Sequence, residues 1–167
     1  MPPETPLPKP PLSDRVLAYL SAQTTLNLAT QGPAGLWAAA VLYVNEGVNL
    51  YFTSVAASRH GQNLLDTLLA AGTVNHDSSS WLTMKGIQLE GRVELVTDAD
   101  ERQRVATAYL ARFPFSSALW HGVSDPAVIA RDPGIHLFFR VTPARLFFID
   151  NEHHPEGREE LALAGNR

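Results

Sequence analysis

The chain contains no cysteine. Disulfides, thiolate metal sites and cysteine nucleophiles are therefore excluded, and a reducing cytoplasm is the expected location. Also missing is any run of the roughly 20 apolar residues that a membrane-crossing helix needs, and the proline-rich, acid-bearing start does not read as a secretion signal. No membrane association is expected. Positive charge is scarce and scattered, with 13 Lys and Arg against 17 Asp and Glu for a formal net charge of −4. Without a basic face to meet phosphates, nucleic acid is not an expected partner. What the chain does have is 167 residues with 45% hydrophobic content, enough for one domain whose core needs no cross-links.

Residues 1–12 are too rich in proline for helix or sheet and read as a flexible arm, residues 13–150 as the folded body, and residues 151–167 as a polar tail. Ser13 stands as the cap of a first helix with a Val16, Leu17, Leu20 stripe. Thr24 to Thr30 alternates as a strand, Gln31 to Gly35 is turn punctuation, and Leu36 to Val44 reads as a strand rich in small residues. Asn45-Glu46-Gly47 then turns the chain into a strand from Val48. Gly72 to Asp77 and Trp81 to Thr97 read as further strands, the second with Gly91 at a bulge or bend. Asp98 and Glu101 open a helix that runs to about Arg112, and Phe115 to Asp132 reads as irregular. Ile135 to Val141 and Arg145 to Ile149, split by Thr142-Pro143-Ala144, predict a closing hairpin. The sum is a mainly β protein, an antiparallel β-barrel of six or seven strands with peripheral helices.

The most informative stretch is Val48 to Leu65. Its strand alternates Val48, Leu50 and Phe52 against Asn49, Tyr51 and Thr53, and delivers Ser54 to a short loop. Ser58 then occupies a helix N-cap position ahead of Arg59, His60, Leu64 and Leu65. Free N–H groups and the helix dipole favour an anion there, and a guanidinium can grip phosphate bidentately. The plainer alternative is a capped surface helix with a solvated arginine. The alanines Ala38, Ala39 and Ala40 allow something flat to lie on a strand, or allow a helix to pack closely on it.

The ordered set Phe52-Thr53-Ser54, Ser58-Arg59-His60 and Gln88-Leu89-Glu90-Gly91, at these separations from Trp37 to Leu42, resembles the flavin-binding split-barrel family typified by pyridoxamine 5′-phosphate oxidase. The likeness covers Leu17 to Val96 and, more weakly, the last two β-rich runs. It is closest to the small, poorly characterised oxidase-like proteins. It implies FMN at the interface of a two-fold homodimer. Phe52, Thr53 and Ser54 would line the flavin and ribityl chain, while Ser58, Arg59 and His60 would hold the phosphate. Backbone groups of Trp37, Ala38, Ala39 and Ala40 would meet the ring edge, with Gln88 a ring contact and Lys85 a second cation. The chain departs from the family pattern at Trp37, where an Arg is common, and at His60, where a Lys or Arg is common. It also lacks a recognisable C-terminal Arg and His signature for a pyridoxal substrate, so oxidation of vitamin B6 is not expected.

FMN binding implies hydride or electron transfer to or from a small organic substrate, with no side-chain nucleophile required. Trp81, Phe115 and Trp120 are candidates to cover the ring and select a flat substrate, or else core aromatics. A non-catalytic protein holding flavin or haem on the same barrel is the alternative, haem being suggested by the late pair His153-His154, and a deazaflavin-dependent reductase is another. No metal site is expected. His76-Asp77 followed by three serines is not a hydrolytic triad, because strand neighbours point to opposite faces.

Overall fold

The computed structural model describes residues 9–163, so most of the proline-rich arm lies outside the described residues. A first helix, α1 (Leu12–Ala22), leads into β1 (Thr25–Gly32), β2 (Gly35–Glu46) and β3 (Asn49–Val55). Helix α2 (Arg59–Thr67), strands β4 (Leu69–Asn75) and β5 (Lys85–Leu95), and helices α3 (Ala99–Arg112) and α4 (Pro126–Arg131) follow. Strands β6 (His136–Asp150) and β7 (Arg158–Glu160) complete the described chain. The strands run in the order β3-β2-β1-β4-β5-β6-β7, all pairings are antiparallel, and a β3–β6 pairing closes six of them into a barrel.

Alternation fills the interior. Leu26 and Leu28, Leu50 and Phe52, Ile87 and Leu89, and Val141 and Leu146 point inward and are buried. Each such side chain contributes about 1.5–3 kcal/mol by leaving water. Helix α1 plugs one end with Val16 and Leu20, and the buried Tyr43 hydroxyl donates to the Leu20 carbonyl at 2.6 Å. Ser13 is not its cap: the helix starts one residue earlier, after Pro11, and the Ser13 hydroxyl turns to Asp14. Helix α3, capped by Asp98 accepting from the Glu101 N–H at 2.8 Å, covers the opposite face of β3 with Val105 and Tyr109. Burial of Tyr51 on that face explains why β3 is apolar on both sides.

Three sequence expectations need correction. The closing hairpin does not form, because β6 is one continuous strand through Thr142-Pro143-Ala144. Its residues His136–Val141 pair with β3, Phe147–Ile149 with β7, and Phe139–Asp150 with β5. Proline is tolerated because the pairing shifts there, from Glu90 opposite Arg145 to Gly91 opposite Pro143. A Cβ on Gly91 would lie 2.2 Å from the Thr142 carbonyl oxygen, so the close approach requires glycine. Second, Trp81 to Thr83 forms a turn of 3₁₀-helix and the strand begins only at Lys85. Third, the stretch read as irregular holds a 3₁₀ segment, Pro114–Trp120, as well as α4. Within the segment read as a polar tail, β7 adds to β6 and is tied to α1 by Arg15 and Glu159 at 2.8 Å.

Candidate functional site

The loop between β3 and α2 gathers three polar side chains. Ser58 sits in extended backbone, its Oγ accepts the Gly61 N–H at 3.1 Å, and its carbonyl accepts from the Gln62 N–H at 2.9 Å. The first N–H groups of α2 have no acceptor inside the helix. Ser54 Oγ lies 2.6 Å from His60 Nε2 and 3.2 Å from Ser58 Oγ, so two hydroxyls and an imidazole converge on that helix start. Burial holds the His60 imidazole below its ordinary pKa and favours the neutral form. A Cβ on Gly61 would meet the Val55 carbonyl oxygen at 2.7 Å, so glycine lets the loop fold back over the first turn.

Arg59 leaves the same turn and lies along the β1–β2 hairpin. Its Nη2 donates to the carbonyls of Ala34 at 2.7 Å and Leu36 at 3.3 Å, and its guanidinium carbon stands 4.6 Å from the centre of the Trp37 ring. Its Nε is buried without a partner. The arginine thus ties the helix start to β2 and keeps spare donors.

Beside it, β2 has an open edge. The Tyr43 N–H bonds to the Thr24 carbonyl, which sets the phase of the β1–β2 ladder. Odd-numbered residues of β2 therefore bond toward β1, and even-numbered ones direct N–H and C=O away from it. Leu42 gives its outward carbonyl to the Tyr109 hydroxyl, and Leu36 gives its own to Arg59. Between them Ala38 and Ala40 face a side where β3 pairs with β2 only over Asn49–Phe52. This is the split in the barrel, a backbone donor-and-acceptor rail lined by small side chains.

On the outer surface Ala38 joins Asn27, Ala29, Ala71, Thr73 and Gln88 around a shallow concavity of about 480 Å³. Gln88 accepts from Arg158, and Phe147 lies between Arg158 at 4.0 Å and Arg145 at 4.7 Å. These three residues of β6 and β7 were not singled out from sequence, since only strand pairing brings them beside Gln88.

The remaining sequence candidates are dispersed. Thr53 borders the helix-start cluster and donates to the Leu137 carbonyl at 3.2 Å, and Ala39 is half-buried in β2. Phe52 turns its ring into the core, 5.2 Å from Phe139, and is wholly buried between Tyr43 of β2 and Phe139 of β6, so it lines no surface groove. Lys85 begins β5, one residue beyond the Asn75–Gly86 pair and opposite Asp150 of β6, and forms ion pairs with Asp150 at 3.5 Å and Glu152 at 2.7 Å. It is not brought to the helix-start cluster. Asp150, Glu152 and His153 place ligand atoms within 4.8 Å of one another, with Lys85 and Arg15 already set against the carboxylates. Trp81 and Phe115 are largely exposed, whereas Trp120 is buried and stacks on Phe138 at 5.6 Å. No helix among the described residues is long and apolar enough to cross a membrane.

A family model for pyridoxamine 5′-phosphate oxidase matches residues 12–150. A UPF0306 protein of Cronobacter sakazakii is 30% identical over 113 residues, which span 64% of this chain and 78% of that protein. A haem-binding protein from Mycobacterium smegmatis is similar in structure, with a TM-score of 0.72 at 17% identity over 93% of this chain and 59% of the other. An FAD-binding protein from Mesorhizobium loti gives a TM-score of 0.60 at 15% identity over 79% and 87%. At such identities the structural likeness speaks for the fold alone.

Proposed function

The chain belongs to the pyridoxamine 5′-phosphate oxidase family, and from that membership we propose that it binds FMN and acts as a flavin-dependent oxidoreductase on a small organic substrate. The observation that carries this reading is the Ser54, Ser58 and His60 cluster at the start of α2, with Arg59 running from it to the open edge of β2. The donor set suits a phosphate. It combines first-turn N–H groups, two hydroxyls, an imidazole and a guanidinium that uses only its Nη2 on the protein. Ala38 and Ala40 would meet the hydrogen-bonding edge of the ring with backbone N–H and C=O, and Gln88 and Arg158 stand farther along the same outer face. When bound, FMN supplies a ring that accepts or gives a hydride or electrons, and the protein supplies binding and orientation. Small side chains at Ala38 and Ala40 leave room against the rail, while Arg59 and Trp37 fix the hairpin that borders it.

The outer face carrying Ala29, Ala38 and Ala71 also exposes Leu36 and Leu69. We assign it to a second copy of the chain, which would bury this apolar surface and enclose the cofactor between protomers.

Haem binding is the second reading, and His153 favours it. Its Nδ1 is held 3.1 Å from both Asp150 carboxylate oxygens, an arrangement that fixes an imidazole with Nε2 turned outward. The test is a titration of the apo-protein with FMN and, separately, with haemin. Quenched flavin fluorescence at micromolar FMN, bleaching of the yellow colour by NADH or NADPH, and its return in air support the oxidoreductase. Saturable FMN binding without turnover reduces the proposal to a flavin carrier. A shifted Soret band that His153→Ala abolishes, with no FMN binding, replaces the proposal by haem binding.

A further inference from the structure

His60 sits in the first turn of α2, half-buried among hydroxyls and without a counter-charge. Its Nε2 lies 2.6 Å from Ser54 Oγ and 3.3 Å from Ser58 Oγ, and Ser58 Oγ also accepts the Gly61 N–H at 3.1 Å. Burial is what holds the imidazole below its ordinary pKa, and no carboxylate among the described residues enters the balance. Of the ionisable side chains around it, Arg59 on the same helix turns to the Ala34 and Leu36 carbonyls, and His136 begins β6 opposite Val55. Asn63 on the next turn of α2 and Thr30 of β1 form a neutral pair. An imidazolium here has no partner of opposite charge in the protein alone, and a dianionic phosphate is a ligand that brings one.

Protonation changes what the cluster can offer. A neutral imidazole that accepts at Nε2 takes up the hydroxyl hydrogen of Ser54. Once protonated, the ring donates Nε2–H to Ser54 Oγ, and that hydroxyl turns its own hydrogen to a ligand oxygen. The neutral Nε2–H tautomer frees the same hydrogen but brings no charge. Protonation thus adds a cation and a hydroxyl donor together to the first-turn N–H groups beside Arg59. Resting on the FMN reading, we propose that His60 takes up one proton from solvent as the FMN phosphate enters the cluster, so that cofactor retention weakens as pH rises. A permanent cation at this position would hold FMN without that dependence.

Fluorescence titration of the full chain with FMN and with riboflavin, and calorimetry of FMN binding in Tris and in Hepes, test this. Between pH 7 and pH 8.5 the ligand's charge is constant, since the second pKa of a phosphate monoester is about 6. FMN affinity falls over that range, by up to about tenfold per pH unit, while riboflavin affinity stays level. At pH 7 the heats in the two buffers differ by the amount that corresponds to nearly one proton taken up. His60→Gln and His60→Lys both abolish the uptake and level the FMN profile, the first by losing the titrating group and the second by carrying a permanent charge. FMN that binds more tightly than riboflavin, with a level profile and no uptake in the wild type, overturns the protonation and leaves the phosphate site standing. Uptake that persists in either variant overturns the assignment to His60. FMN that binds no more tightly than riboflavin overturns the phosphate reading and this proposal with it.

Discussion

Arg59 is the residue on which the phosphate assignment turns, and Arg59→Ala is expected to change ligand preference more than overall fold. Two hydrogen bonds from its Nη2 to the Ala34 and Leu36 carbonyls already occupy part of the guanidinium. Of its five N–H donors the two on Nη1 make no hydrogen bond to the described residues and remain for a phosphate oxygen, whereas the Nε–H is buried out of a ligand's reach. A charge-assisted contact of this kind contributes about 1.5–3 kcal/mol, or roughly ten- to a hundredfold in affinity. Removing the side chain also releases the hairpin and the stacking on Trp37, a loss of about 0.5–1 kcal/mol at an exposed site. That second effect falls on any ligand of the groove. Riboflavin, which has the ring and ribityl chain but no phosphate, separates the two. The FMN-to-riboflavin affinity ratio, measured by fluorescence titration, should fall by one to two orders of magnitude in Arg59→Ala. It should fall less in Arg59→Lys, which keeps the charge and loses the fork. An unchanged ratio, with both ligands still bound, would place the phosphate elsewhere and refute the assignment.

Three further outcomes are expected. Tyr43→Phe strands the Leu20 carbonyl at the α1 plug and should cost about 1–3 kcal/mol in urea unfolding; a loss below about 0.3 kcal/mol would mean that water replaces the hydroxyl. In the apo-protein, burial disfavours the charged form of His60, so as pH falls through about 6.5 the unfolded chain binds that proton first. The stability of wild type minus that of His60→Gln should therefore shrink between pH 7.5 and pH 5, and a flat or rising difference would contradict the burial argument. Ala71→Arg puts a charge in the middle of the outer face and should turn a dimer into monomers in light scattering, whereas a wild type already monomeric removes the proposed interface.

Local signals survived into the structure best. Ser58 was legible as a cap because capping depends on a few neighbouring residues, and the alternation of β3 and β5 followed from their side chains alone. Pro143 misled because Thr-Pro-Ala has turn chemistry, and the shift that absorbs it is set by Gly91 on another strand. Lys85 and Gln88 were both assigned to the cofactor on the family resemblance, yet three steps along a strand put them on opposite faces. Lys85 went to the acidic cluster at Asp150 and Glu152, while Gln88 went to the outer concavity. Arg145, Phe147 and Arg158 had no local signal, because their meeting with Gln88 depends on how β5, β6 and β7 line up.

The seam between β3 and β6 closes the longest loop of any pairing in the sheet. It joins Leu50 to Val141 and Val55 to His136, whereas β1–β2 and β2–β3 are made by tight turns. Bringing such distant segments together sacrifices more chain freedom than any hairpin does, and nothing is gained until both are in place. Residues 96–135, which carry α3 and α4, lie in the loop that this pairing closes. The barrel can shut only once β6 has come to lie between β3 and β5, two strands that the chain laid down long before it.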